Sequence, residues 1–427
     1  MRKLLYILIL ALPVMIMGCM SSQKEYTFVN TSHLDDLYEE VEMNGTKVGI
    51  IHIYSNYPDY KWVGDSDEGI ACIDDVARAT IVYLNKYRFL NDEESLRKVG
   101  NLVGFILNMQ AENGFFYNFL FDDMTINKTH KNSLPQANWW TWRAMWALME
   151  SYNVYKNIDV DFANKILKSV DASFDAMKRT VPLNKKVDVV NGFSIPTWLP
   201  WESAADQAAV LLQSLVPYYE VTKDESVLDY IKSMQKGICL MQIQDNQLNV
   251  YGAFKSWRNM WHAYGNIQSY SLLLSSQTTD DKIIVESALR EINNFYKMLL
   301  NEKYFSNFSL RLEDTIVTVE INKFSQIAYN IRPMVYACLE AYKITSDSLY
   351  AVQAADIASW FFMNNPADAQ MYFLGTGIGY DGINSEDEIN KNSGAESTIE
   401  ALLTLQAIES NPIAKEKLLD FYNQHIR

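Results

Sequence analysis

Six apolar segments of one design recur along the chain, and this recurrence limits the available folds more than any single motif does. They read EGIACIDDVARATIVYL from residue 68, PQANWWTWRAMWALMESY from 135 and PWESAADQAAVLLQSLVPYY from 200. The others are NMWHAYGNIQSYSLLL from 259, FSQIAYNIRPMVYACLEAY from 324 and NSGAESTIEALLTLQAI from 392, so consecutive starts lie 59 to 68 residues apart. Each opens on polar or small residues and runs into a stretch that is apolar on nearly every side, the mark of a helix surrounded by protein. Each then meets an acidic or turn-like break: LNDEES, NIDVDF, TKDES, TTDDK, TSDSL or NPIAKE. Such breaks supply helix caps, and acids in a first turn suit the helix dipole. A second helix follows with its charge on one side, as in ESLRKVGNLVGFILNMQ. Six buried helices ringed by six amphipathic ones predict an all-α fold, an (α/α)6 barrel or six-hairpin toroid. An open solenoid would carry polar capping pairs at its ends, and neither the 68–110 pair nor the 392–425 pair has that character. Ahead of the barrel, TKVGIIHIYS (46–55) alternates weakly and predicts one strand or a short extended arm.

Arg2 and Lys3 precede the apolar run LLYILILALPVMIM, which ends at Gly18-Cys19. A charged start, a short apolar core and a small residue before the cut predict a secretory leader over 1–18. The Ile-Met-Gly-Cys ending resembles a bacterial lipobox, which implies lipidation of Cys19, a tether over 19–45 and a barrel domain with its arm over 46–427. Lys24-Glu25 resembles the export tag of surface lipoproteins. The implied location is the cell envelope, with the chain lipid-anchored to the outer membrane and meeting the membrane through that lipid alone.

Loss of residues 1–18 removes two positive charges and takes the formal charge from −15 to −17. Nucleic-acid binding needs clustered Lys and Arg, and no such cluster is present. Cys72, Cys239 and Cys338 each sit in an apolar helical run, which predicts buried thiols in place of a disulfide frame. None has His or Cys at metal-ligand spacing, so no cofactor or metal is expected.

The hairpin count, the aromatic-rich connections and the stretches GIACIDDVARA and GYDGINSEDEINKNSGAESTIEALL resemble the six-hairpin glycosidase superfamily over residues 60 to 427. The resemblance implies a barrel that acts on carbohydrate, with its site at the end reached by the long connections. It singles out no one family, so no catalytic pair carries over.

The residues themselves offer candidates at that end. Asp74 and Asp75 stand in the first turns of an otherwise apolar helix, where burial without partners is costly. As neighbours they point about 100° apart, so one is expected to face a cavity floor and the other to bond a neighbouring helix or an Arg; Asp75 is favoured for the cavity. Glu202 and Asp206, at i and i+4, are expected on one helix face, where mutual repulsion could raise one pKa. Glu396 is a further acid, but Ser393-x-x-Glu396 matches a capping box, and the local pattern favours that structural role. Asp381, in GTGIGYDGI, reads equally as a turn residue or a loop acid over the cavity. Trp139, Trp140, Trp142, Trp198, Trp201, Trp257 and Trp261 crowd the connections and suggest a stacking wall for sugar rings, with core packing as the alternative for any one of them. Arg258, His262, Tyr264 and Asn266 form a second group, and Arg332 beside Tyr329 and Asn330 could clamp a carboxylate.

Glycoside hydrolysis needs two carboxyl groups across the scissile bond, and an inverting enzyme holds them roughly 6.5–9.5 Å apart. Such a hydrolase, taking a poly- or oligosaccharide, is the leading expectation. A lyase acting on uronic acid polymers through His262, Tyr264 and the arginines is a second, and a glycan-binding lipoprotein without catalysis is a third, since fold alone does not establish chemistry.

Overall fold

The computed structural model describes residues 25–183 and 186–426. The leader expected over 1–18 and the lipidation site Cys19 lie outside the described residues. A short helix, α1 (Ser32–Leu37), precedes six helical hairpins. These are α2 (Ile73–Leu90) with α3 (Glu93–Asn108), α4 (Trp139–Tyr155) with α5 (Val160–Thr180) and α6 (Ala205–Thr222) with α7 (Glu225–Leu240). Next come α8 (Gln268–Thr279) with α9 (Lys282–Arg290) and its continuation α10 (Tyr296–Asn301), α11 (Arg332–Thr345) with α12 (Ser348–Ala358), and α13 (Ala395–Glu409) with α14 (Pro412–His425). The first helices of the hairpins pack each on the next, and α13 returns to α2, so the ring closes. The fold is the expected (α/α)6 barrel.

The asymmetry in the sequence is the asymmetry of burial. Inner helix α6 buries every residue from Ala205 to Tyr218, and α13 every residue from Ser397 to Gln406. Outer helix α5 buries only a stripe: Ala163, Ile166, Ser169, Val170, Ser173, Phe174, Ala176 and Met177, the spacing of one helical face. The acidic breaks act as read. Asp159, Asp224, Asp281, Asp347 and Asn411 each accept a backbone N–H of the outer helix they open.

Inner helices start later than the apolar segments suggest. The first segment opens at residue 68, yet its helix begins at Ile73, because Ala71–Cys72 pairs as a strand with Phe119–Leu120. Their leading N–H groups are taken by neighbouring connections: Ile73 N by Asn118 O, Ala205 N by Ser256 O, and Ala395 N by Ile53 O. Each connection is thereby tied to a helix start, which satisfies donors that a helix cannot satisfy itself.

The tether expected to run to residue 45 gives way at Thr27 to packed chain. Thr27 N and Phe28 N donate to the Glu409 carboxylate, and the Phe28 ring is buried. Strand Tyr38–Met43 pairs antiparallel with Thr46–Ile51, and Val48, Ile50 and Ile51 are buried under it beside α3. An apolar Phe-Val pair and an alternating strand cannot stay in water as a spacer. The connections also carry small antiparallel hairpins, including Val187–Val190 with Phe193–Pro196 and Asn307–Glu313 with Ile316–Asn322. Among the described residues no helix is long and apolar enough to cross a membrane.

Candidate active site

Three of the six inner helices carry an acid at their second residue: Asp74 on α2, Asp206 on α6 and Glu396 on α13. Because the inner helices run parallel, these carboxylates share one level at one end of the ring. The helix dipole favours anions there, and burial opposes them.

Asp74, Asp75 and Glu396 line a cavity of about 510 Å³, with Cys72, Arg78, Asn118 and Asp381 among its walls. That volume is in the range of small-molecule sites. Arg78, 2% exposed, is the hub. It lies 2.6 Å from Asp75, 2.9 Å from Glu400 and 3.3 Å from Glu396. Glu400 is fully buried and also takes Arg332 Nε. Arg143, reaching in from α4, pairs with Asp74 at 2.7 Å and donates to the Tyr329 hydroxyl. The guanidinium carbons of Arg78, Arg143 and Arg332 all lie 5.2–5.5 Å from the Tyr329 ring centre, a cation–π arrangement of three.

Both adjacent acids border the cavity, but they differ in kind. Asp75, favoured from sequence as the cavity group, has a side chain 4% exposed, bonded to Arg78 and taking the Cys72 thiol at 3.2 Å. Burial pushes its pKa up against the pull of Arg78. Asp74 is the more open of the two, at 21%.

Glu396 does not form the capping box. The Ser393 hydroxyl instead takes the Gly379 amide and meets Thr398, and α13 starts beyond it. Asp381 supplies the cap, accepting Gly394 N at 2.9 Å and Ser397 Oγ at 2.6 Å. Glu396 is thereby free to line the cavity, and its side chain is half-exposed. Burial raises its pKa, Arg78 pulls against that, and Asp75 and Glu400 add to the rise.

Four carboxylates (Asp74, Asp75, Glu396, Glu400) thus share three guanidiniums (Arg78, Arg143, Arg332). Like charges without a full set of partners push a carboxyl pKa upward, and the open member with a raised pKa is Glu396.

A second cavity of about 290 Å³ adjoins, lined by Trp139, Trp201, Trp257, Asp206, Gln207, Met260, His262 and Tyr264. Asp206 Oδ2 lies 2.9 Å from His262 Nε2, and the His262 ring stacks on Tyr264 at 3.8 Å. A side chain at Gly265 would bring its Cβ within 2.3 Å of His262 Cε1, so only glycine admits the imidazole. The two cavities have separate linings, and Arg143 links their walls. Arg143, partner of Asp74, lies 5.2 Å from the Trp139 ring centre. Burial first, then the neighbouring Asp206, Tyr329 and Glu396, pushes the Tyr264 phenol up, so this ring stands between both groups.

Several expected members are elsewhere. Glu202 is not on α6 with Asp206: Pro200–Ala204 closes a tight turn, Glu202 has φ of 70°, and its side chain is 69% exposed, 3.9 Å from Arg258. Arg258 sits at the rim over Trp257, 4.2 Å from its ring centre. Trp140 is buried with Nε1 on Phe116 O, and Trp261 is buried among Phe295, Phe305 and Phe308. Trp142 and Trp198 are core as well, leaving Trp139, Trp201 and Trp257 on the cavity wall. Asn266, Asn330 and Arg332 are buried and line neither cavity, and Arg332 serves Glu400 in place of a substrate carboxylate. Arg78, Arg143 and Glu400 escaped the sequence reading. Their signal was a lone charge inside an apolar helix, at i+4 or i+3 from another acid in the case of Arg78.

No protein-family model and no curated protein matches the chain by sequence. In structure it is similar to a sugar epimerase from a ruminal bacterium and to cellobiose 2-epimerase from Bacillus thermoamylovorans B4167. Each has a TM-score of 0.62 at 12% identity, over 90% of this chain and 96% of the other. It is also similar to a family 76 glycoside hydrolase from a bovine Bacteroides thetaiotaomicron strain, with a TM-score of 0.56 at 13% identity, over 89% of this chain and 76% of the other. At such identities the likeness speaks for fold and leaves chemistry to the site. The chain shares the (α/α)6 barrel fold of these proteins.

Proposed function

We propose that this protein is a glycoside hydrolase in which Glu396 is the general acid and Asp74 the general base. The observation that carries the reading is the shortage of one cation in the Arg78 network, which leaves a proton for the cavity-facing Glu396. Glu396 would donate that proton to the glycosidic oxygen as the bond from the anomeric carbon to that oxygen breaks. Water would attack the anomeric carbon from the other face and lose its proton to Asp74, which inverts the centre. Asp75 would act at one remove, fixing Arg78. Trp139, Trp201 and Trp257 offer ring faces for neighbouring sugars. The sugar-acting neighbours named above are in keeping with a carbohydrate substrate. The lipobox-like Gly18-Cys19 supports a place in the cell envelope.

The Asp206–His262 pair under Tyr264 favours one second reading, proton abstraction by a uronate lyase. Incubation with a panel of neutral and acidic glycans separates them. Hydrolysis gives new reducing ends without ultraviolet absorbance, and Glu396→Gln and Asp74→Asn abolish them. Elimination gives an absorbing unsaturated product. Binding without either product would leave a glycan-binding protein and end the hydrolase reading.

A further inference from the structure

One cluster of exposed apolar side chains lies beside the first cavity. Within ten residues of the N-terminal arm, Tyr54, Tyr57, Trp62 and Val63 are 38–52% exposed, and a cluster of that kind usually marks a binding surface. Trp62 is already engaged, stacked on His52 at 3.8 Å with Nε1 on Asp36 O. Tyr54, whose hydroxyl donates to the Glu68 carboxylate, and Tyr57, edge-on to Tyr60, keep exposed ring surface.

These two rings are held by backbone. Strands Tyr54–Asn56 and Lys61–Val63 form a hairpin that is bonded to the segment entering α13. Ser393 N donates to Ser55 O, Ala395 N to Ile53 O, Tyr57 N to Asn392 Oδ1, and the Tyr60 hydroxyl to Lys391 O. Ala395 immediately precedes Glu396, so the arm is fixed at the root of the proposed acid. Ile53 and Tyr54 are part of the cavity wall, together with the amides Asn384 and Asn390. Tyr57 continues the strip outward, with Asn392 on its backbone and Lys391 Nζ 5.6 Å from its ring centre. Flat rings flanked by amide and ammonium donors match the two faces of a pyranose, C–H on one side and hydroxyls on the edge.

We infer that the arm is an outer sugar subsite, continuous with the cavity, and that the substrate is therefore a chain of several sugars. This rests on the hydrolase reading for its turnover but not for its binding. The test compares wild type, Tyr57→Ala and Tyr57→Phe on a length series of oligosaccharides from whichever glycan is cleaved. In parallel, electrophoretic retardation in gels containing each polysaccharide of the panel needs no turnover. Tyr57→Ala should raise KM about tenfold on the longest oligomers, leave kcat and the shortest cleaved oligomer unchanged, and weaken retardation. Tyr57→Phe should behave as wild type. Equal effects at all lengths, no effect, or the same retardation for wild type and Tyr57→Ala would overturn the subsite. Loss of retardation in Tyr57→Ala without hydrolysis by wild type would keep the subsite and remove the hydrolase reading. Retardation by no polysaccharide would remove both.

Discussion

Replacing Arg78 by Met tests the charge network where its energetics are plainest. The guanidinium is 2% exposed and holds Asp75 at 2.6 Å and Glu400 at 2.9 Å. Removing one partner of a buried pair costs about 3–5 kcal/mol, because a charge is left without compensation. Glu400 keeps Arg332 and Glu396 is half-exposed, so the group stranded in the interior is Asp75. Burial already raises its folded-state pKa, and Arg78 is the first force pulling it down. Without that force the folded state binds a proton that the unfolded chain releases. Stability then falls as pH climbs from the ordinary carboxylate range through the raised folded value. Urea unfolding followed by circular dichroism should therefore show the full loss at mildly alkaline pH and a shrinking loss towards acid. Adding Asp75→Asn should recover about 1–3 kcal/mol, the coupling expected of a contacting pair. An Arg78→Met protein within about 1 kcal/mol of wild type at every pH would refute the network as described, as would a double variant no more stable than the single one.

Two further outcomes follow from other fully or partly buried carboxyls. Glu291, fully buried and bonded to Ser269 Oγ and Phe254 N, has its pKa pushed up from 4.5 to about 7 by burial. Stability should decline as pH rises through that window, by about 3 kcal/mol in all, and denaturation of Glu291→Gln across the same pH range should lack that slope. Asp381→Ala removes the cap of α13, so melting should register a loss of about 0.5–2 kcal/mol. Its kcat should fall more than its KM changes, since Glu396 sits in the freed turn; Asp381→Asn should restore both.

How far the chain could be read depended on the range of each interaction. The ring was legible because it is written six times, in the contrast between segments such as 205–218, buried throughout, and outer stripes such as that of α5. Caps on the outer helices were legible because Asp159 or Asp347 acts on its own next turn. The Glu396 role was hidden by a local pattern. Ser393-x-x-Glu396 satisfies the capping-box rule, yet the Ser393 amide goes to Ser55 O, and Asp381, 13 residues from Gly394, takes the next amide. Glu202 failed for a related reason: an i, i+4 pair assumes helix, and the turn at Trp201–Glu202 adopts positive φ. Arg78 meets Glu396 and Glu400 across 318 and 322 residues, a distance that no spacing rule spans. The tryptophans divided by depth, which composition does not encode.

Glycosides with activated leaving groups depart without acid assistance, and they offer the most direct test of the central claim that Glu396 delivers the proton. Rates for wild type, Glu396→Gln and Asp74→Asn should be compared on a cleaved natural glycan and on an aryl glycoside of the same sugar. Glu396→Gln should lose about 10²–10⁴-fold on the glycan and far less on the aryl glycoside, while Asp74→Asn should lose comparably on both. Equal losses for Glu396→Gln on the two substrates, or none on either, would contradict the account.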